Sequence, residues 1–127
     1  MTNRATIGAL SPTREHGTVK SDHPMLAGHF PGHPIVPGAW LLAWVVGAAT
    51  RRLAADDESR SVLSIKRVKF LRPLPPDQPF ECTLNLRART GTQSDGHETM
   101  RFAVTWDGGL IAEGSLLCSR EEAESAR

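Results

Sequence analysis

An α+β architecture, one long apolar helix wrapped by an antiparallel sheet, is what this sequence predicts, and three observations predict it. Residues 39–53 contain no proline and no charge before Arg51. Residues 80–88 and 99–106 each alternate between an apolar and a polar series, the period-two pattern of a half-buried strand. At 127 residues the chain is long enough for one core and too short for two ordinary domains, so helix and strands are expected to share that core. Residues 1–127 are therefore read as a single domain, with 1–15 and 121–127 as loose ends.

The elements follow in chain order. Residues 16–21 have the makings of a short strand. A stretch dense in glycine and proline comes next, from His23 to Gly38, and Pro24, Pro31, Pro34 and Pro37 forbid a regular helix within it. Its apolar residues Met25, Leu26, Phe30, Ile35 and Val36 favour an ordered loop. The run after Gly38 is apolar on every side, which predicts a helix buried all round, and Arg51 and Arg52 suit its C-terminal end. The Asp56-Asp57-Glu58-Ser59 segment reads as an exposed turn. Residues 62–71 are β-rich until Pro73, Pro75 and Pro76 break the pattern. Phe80, Cys82, Leu84, Leu86 and Ala88 give one strand its apolar face; Met100, Phe102, Val104 and Trp106 do the same for the next. Asp107-Gly108-Gly109 is a turn signal, and residues 110–118 return as the partner strand.

Composition excludes several classes. Fifteen basic and fourteen acidic residues leave a formal net charge of +1, so no bulk charge points to nucleic acid or to an anionic membrane. Cys82 and Cys118 stand apart, without the spacing of a zinc site or a disulfide framework, and no metal is expected. The start of the chain lacks the apolar core of a signal peptide. The longest uncharged apolar run, residues 39–49, falls short of the roughly 20 residues that span a bilayer. The expectation is a soluble, cytoplasmic protein. A sheet of this size has edges to protect, which makes dimerisation a reasonable expectation.

The loop Gly28-His29-Phe30-Pro31-Gly32-His33-Pro34-Ile35-Val36-Pro37-Gly38 resembles the active-site signature of the hot-dog-fold 3-hydroxyacyl-acyl-carrier-protein dehydratases. Arg67-Val68-Lys69-Phe70-Leu71-Arg72-Pro73 with Pro76-Asp77-Gln78 resembles the family's strand and proline turn. The stretch from Trp106 to Arg120 resembles its closing hairpin. The likeness covers about 95 residues, from His23 onward, and the short lead before His23 resembles the dehydratase-like proteins of aryl-polyene-type pathways. The resemblance implies a hot-dog fold and water loss from a 3-hydroxyacyl thioester in fatty acid, polyene or polyketide synthesis. No cofactor is implied. His29 matches the catalytic base, and histidine suits the task because its pKa lies near neutrality. Gly38 matches the glycine whose backbone N–H faces the thioester carbonyl at a helix N-terminus. Phe30, Pro31, Ile35, Val36, Pro37 and Trp40 are carried over as substrate-binding positions.

The family's Glu or Asp, five residues after that glycine, is Ala43 here, and no acidic residue occurs between Asp22 and Asp56. In the family each site joins the histidine of one protomer to the acid of the other. A chain that keeps His29 and lacks the acid therefore reads as one subunit of a heterodimer, or as a slow homodimer or higher oligomer. Two further readings stand beside it: a non-catalytic module binding acyl chains or carrier protein, and a hot-dog thioesterase. The thioesterase is disfavoured because hydrolysis on this fold also calls for a helix carboxylate. The substrate carrier is read as acyl carrier protein or CoA. The basic residues Lys66, Arg67, Lys69 and Arg72 have two readings, a solvated strand face or a dock for an acidic carrier protein, and Arg51 and Arg52 have the same two. Trp40 and Trp44, four residues apart, are core or dimer packing, or narrow an acyl tunnel. His23 and His33 read as loop-surface residues.

Overall fold

Among the described residues, five antiparallel strands form one sheet, and one long helix lies across one of its faces. The structure, a computed structural model, describes residues 12–26, 35–86 and 97–119. Strand β1 (Thr13–Gly17) and a 3-10 turn (Pro24–Leu26) precede helix α1 (Gly38–Asp56). Strands β2 (Val62–Phe70), β3 (Phe80–Leu86), β4 (His97–Trp106) and β5 (Gly109–Ser119) follow. The sheet order is β1-β3-β4-β5-β2, antiparallel throughout. No helix among the described residues is long and apolar enough to cross a membrane.

The alternation read from the sequence is the alternation of burial. Phe80, Cys82, Leu84 and Leu86 of β3 are buried, as are Met100, Phe102 and Val104 of β4. They face α1, which buries Leu41, Val45, Ala48, Ala49 and Leu53 against them. The β4–β5 hairpin closes with Asp107 at φ 52° and Gly108 at φ 76°, both left-handed, so the two-residue turn matches the twist of the strands it joins. Residues 87–88, expected to extend β3, lie outside the described residues, as do 1–11 and 120–127.

Two expectations are corrected here. The first strand is Thr13–Gly17, not residues 16–21, so Thr13 to Glu15 are not a loose end. Its polar sequence is held by pairing to β3, from Thr13 opposite Leu84 to Gly17 opposite Phe80. Glu15 also ion-pairs Arg51 at 2.9 Å, and Thr13 Oγ1 accepts from Arg52 Nε at 3.0 Å. These contacts tie β1 to the end of α1. The second correction concerns the helix, which is buried on one side only. Ala39, Ala43 and Thr50 are exposed, and Leu42 and Val46 are half-buried. One layer of sheet covers one side of a helix; the other side needs another layer, which this chain does not supply among its described residues. Asp56, expected in the turn, still belongs to α1 and pairs with Arg52 at 2.9 Å.

Where β2 and β5 end together, a buried guanidinium closes the sheet. Arg60 is 5% exposed, donates from Nε to the Ser119 carbonyl at 3.2 Å and pairs with Glu98. Removing one member of such a pair strands the other charge in poor solvent. Arg60→Ala is expected to cost about 3–5 kcal/mol, and Arg60→Met with Glu98→Leu to recover most of it; urea midpoints of the three proteins check both.

Candidate functional site

The start of α1 has no side-chain cap because of what precedes it. Pro37, at φ −62° and ψ 139°, occupies the cap position and offers no side-chain acceptor, and the first turn holds no acidic residue. The first amide with a backbone partner in this turn is Leu41, which donates to the Pro37 carbonyl at 3.1 Å. Helix geometry leaves the N–H groups of Gly38, Ala39 and Trp40 without intrahelical acceptors, at the positive end of the helix dipole.

Gly38 borders a cavity of about 360 Å³. Long-range backbone pairing builds it. Val36 N–H donates to the Leu74 carbonyl at 2.9 Å, and Leu71 N–H donates to the Ile111 carbonyl at 2.7 Å. Val36, Leu41, Leu74 and Ile111 form a buried apolar floor, while Ile35, Phe70, Leu71 and Arg72 form the rim. The Phe70 ring lies so close over the helix start that a Cβ on residue 38 would sit 3.0–3.3 Å from three of its atoms, so glycine there makes room for the ring. Arg72 is held by donating to the Trp106 carbonyl at 2.9 Å, with its guanidinium 5.4 Å from the Trp106 ring centre. Trp106 is fixed in turn by donating Nε1–H to Gln78 Oε1 at 3.1 Å.

The expected site residues separate into three groups. Ile35, Val36 and Gly38 line the cavity, and Pro37 caps the helix beside it. Trp40 does not line it: its ring packs edge-on against His23 at 6.0 Å and leans on the core. Trp44 likewise packs edge-on against Phe80 at 4.8 Å, so within this chain both tryptophans serve packing. His29, Phe30 and Pro31 lie outside the described residues.

Of Lys66, Arg67, Lys69 and Arg72, it is Arg72 that reaches the cavity. Arg67 and Lys69 stand opposite Ser115 and Glu113, on rungs that alternate with the helix-facing pairs Met100–Leu116 and Phe102–Gly114. They therefore occupy the far face of the sheet, and a partner seated at the cavity mouth would meet Arg72 without them. Arg51 and Arg52 are spent on Glu15, Thr13 and Asp56. Ala43 is exposed and absent from the cavity lining. Five residues of helix turn it about 140° away from Gly38 and advance it about 7.5 Å. A carboxylate at position 43 would stand on the outside of the chain, where it could serve only a site that a second chain completes. Phe70, Leu71, Leu74 and Ile111 were not anticipated as lining; the one local hint is the apolar Phe70-Leu71 pair running into the prolines.

Comparison with known proteins gives the family and the fold. The family model described as ApeI-like, ApeI dehydratase, matches residues 13–114, so the likeness begins on β1, ahead of His23. The 3-hydroxyacyl-acyl-carrier-protein dehydratase FabZ of Geotalea uraniireducens is 41% identical over 106 residues, covering 77% of this chain and 69% of that protein. FabZ of Thermomicrobium roseum is 30% identical over 113 residues, covering 86% and 73%. Among solved structures, the dehydratase heterocomplex ApeI:P from Xenorhabdus doucetiae superposes with TM-score 0.65 at 24% identity, over 86% of this chain and 88% of that one. An acyl-CoA hydrolase mutant from Staphylococcus aureus, solved with coenzyme A, superposes with TM-score 0.67 at 16% identity, over 86% and 64%. The fold is the hot-dog fold.

Neither cysteine is a nucleophile. Burial, then the nearby Glu15 and Glu81 carboxylates, push the Cys82 thiol up to about 12, and burial pushes Cys118 to about 11. The described residues hold no cluster of three or more His, Cys, Asp or Glu able to bind a metal. A raised thiol pKa means the folded state keeps a proton that the unfolded chain gives up first. The stability tied to Cys82 is thus complete below about pH 9 and is lost as pH climbs toward about 12. Urea unfolding between pH 8 and pH 11 should show stability falling, and Cys82→Ala should flatten that fall by up to ~1.4 kcal/mol per pH unit.

Proposed function

From its membership of the ApeI-like dehydratase family, to which the chain belongs, we propose that it is one half of a 3-hydroxyacyl thioester dehydratase. In this reading His29 removes the Cα proton. The electron pair moves toward the thioester carbonyl, whose oxygen gathers charge against the Gly38 N–H. Departure of the 3-hydroxyl as water then needs a proton, and a carboxylic acid on a related partner subunit supplies it where this chain has Ala43. The acyl chain lies along the apolar cavity, and its carrier is an acyl carrier protein or CoA.

The observation that carries the reading is the combination at α1: an uncapped, acid-free helix start beside an apolar cavity, with the vacant acid position turned to the outside. The helix start suits an oxyanion because its amides are preorganised and cost no rearrangement when charge develops. The heterocomplex formed by the Xenorhabdus neighbour supports assembly with a related second chain. The lack of a side chain at Gly38 is used by the Phe70 ring, so a carbonyl approaching that amide would pass beside the ring, which borders the same cavity.

Turnover of a 3-hydroxyacyl carrier-protein thioester to the unsaturated thioester tests the reading. The chain alone is expected to be slow, and His29→Ala to remove what activity it has. Ala43→Glu is expected to fold normally, because position 43 is exposed, and, assayed as a homodimer in which each chain completes the other's site, to raise turnover by about 10²–10⁴, the worth of a general acid. Turnover that survives His29→Ala overturns the role of His29. No gain from Ala43→Glu, together with tight acyl binding, favours a non-catalytic binding module.

A further inference from the structure

We propose that the face of the sheet turned away from α1 carries an anion site, made by Arg67, Arg101, Lys66 and the Ser115 hydroxyl, that binds a doubly charged phosphate group. The proposal stands apart from the dehydratase reading, because the sheet separates this cluster from the cavity beside Gly38.

The register builds the cluster. Ser115 of β5 has Arg67 of β2 opposite it on one side and Arg101 of β4 on the other. The neighbouring rung, Phe102 with Gly114 and Val68, faces the helix, so the Arg101–Ser115–Arg67 rung faces away from it. Two strand spacings put the two arginine Cα atoms about 10 Å apart, with the serine midway. Gly114 fixes where Arg67 starts: a Cβ on residue 114 would collide with the Arg67 carbonyl oxygen, so β2 and β5 come unusually close at this point. Lys66 completes the group. It leaves β2 and donates from Nζ to Thr99 Oγ1 of β4 at 3.4 Å, so its stem lies across β5 and its ammonium stands two residues from Arg101.

Two observations set this cluster apart from an ordinary solvated face. Ser115 is 7% exposed although it points away from the core, and it makes no side-chain hydrogen bond among the described residues. A buried hydroxyl normally has a partner. Arg67 and Arg101 are exposed and have no ion pair among the described residues. Glu113, the nearest carboxylate on this face among those residues, stands opposite Lys69 on the next outward rung, about 7 Å along the strand. Three cations are thus gathered around an unused hydroxyl on a scale comparable with the screening length of about 8 Å, with no acid on their own rung.

The donor set names the ligand. Two guanidinium forks, an ammonium and a hydroxyl all donate, and none accepts while serving an anion. A phosphate monoester, with close to two negative charges and three acceptor oxygens, answers such a set; a carboxylate has one charge and two oxygens. The same chemistry belongs to inorganic phosphate and to a small phosphate ester.

Calorimetric titration of the full chain, at constant ionic strength set with potassium chloride, uses inorganic phosphate in one arm and glycerol 3-phosphate in the other. Saturable binding of one phosphate group per chain is expected. Equal affinities make the esterified group the ligand, and a preference for the inorganic ion makes free phosphate the ligand; either result supports the site. Ser115→Ala is expected to weaken binding about 10- to 100-fold, the worth of a hydrogen bond to a charged group. Arg67→Gln and Arg101→Gln are expected to weaken it at least as much, and being exposed positions they keep the test open should Ser115→Ala fail to fold. Arg72→Gln removes the same charge on the cavity side and is expected to leave phosphate binding within about twofold of wild type. No saturable binding, or an equal loss in Arg72→Gln and the two rung variants, overturns the proposal.

Discussion

A single layer of sheet covers only one side of a helix, and the organisation of this molecule follows from that constraint. The covered side of α1 takes Leu41, Val45, Ala48, Ala49 and Leu53 into the core. The uncovered side carries small residues, Ala39 and Ala43, with Thr50 beyond them, and remains accessible. The same economy leaves β2 as a bare edge, with Ile65 and Phe70 facing the helix side of an unfinished sheet. Helix face and sheet edge are two borders of one incomplete body.

The long-range backbone bonds decide where the cavity is. Two segments far apart in the chain meet where Val36 bonds Leu74 and where Leu71 bonds Ile111. A third tie, Asp77 N–H to the Val19 carbonyl at 2.6 Å, with Asp77 Oδ1 accepting from Ser21 N–H at 2.9 Å, fastens the proline turn to the segment after β1. Asp77 adopts φ 65° to make this corner. The proline-rich pieces are thus braced by backbone groups that a side-chain pattern does not advertise.

That difference explains how much was legible beforehand. Strands β3, β4 and β5 were readable because a sheet with one buried face writes its geometry into alternate residues, as Phe80, Cys82 and Leu84 do. The helix was readable as a helix but not in its one-sided burial, since alanine is as compatible with a core as with a surface. Strand β1 was misplaced because Thr13–Gly17 is polar and becomes a strand only through β3. At the site, Gly38 and the neighbouring Ile35 and Val36 were found from the motif. Phe70, Leu74 and Ile111 were not, because their convergence is a property of the pairing rather than of any local run. The separation of Arg72 from Arg67 and Lys69 onto opposite faces is likewise a matter of register.

The inert thiols have a practical side. The sequence contains two cysteines, and Cys82 and Cys118 are both sealed in the core with their ionisation suppressed. The native chain is therefore silent toward thiol reagents under mild conditions. Ala43→Cys would place one accessible sulfur on the bare face of α1, able to carry a fluorophore, a spin label or a crosslinker without competition from the rest of the molecule. Whatever comes to rest on that face would then announce itself through a single, unambiguous probe.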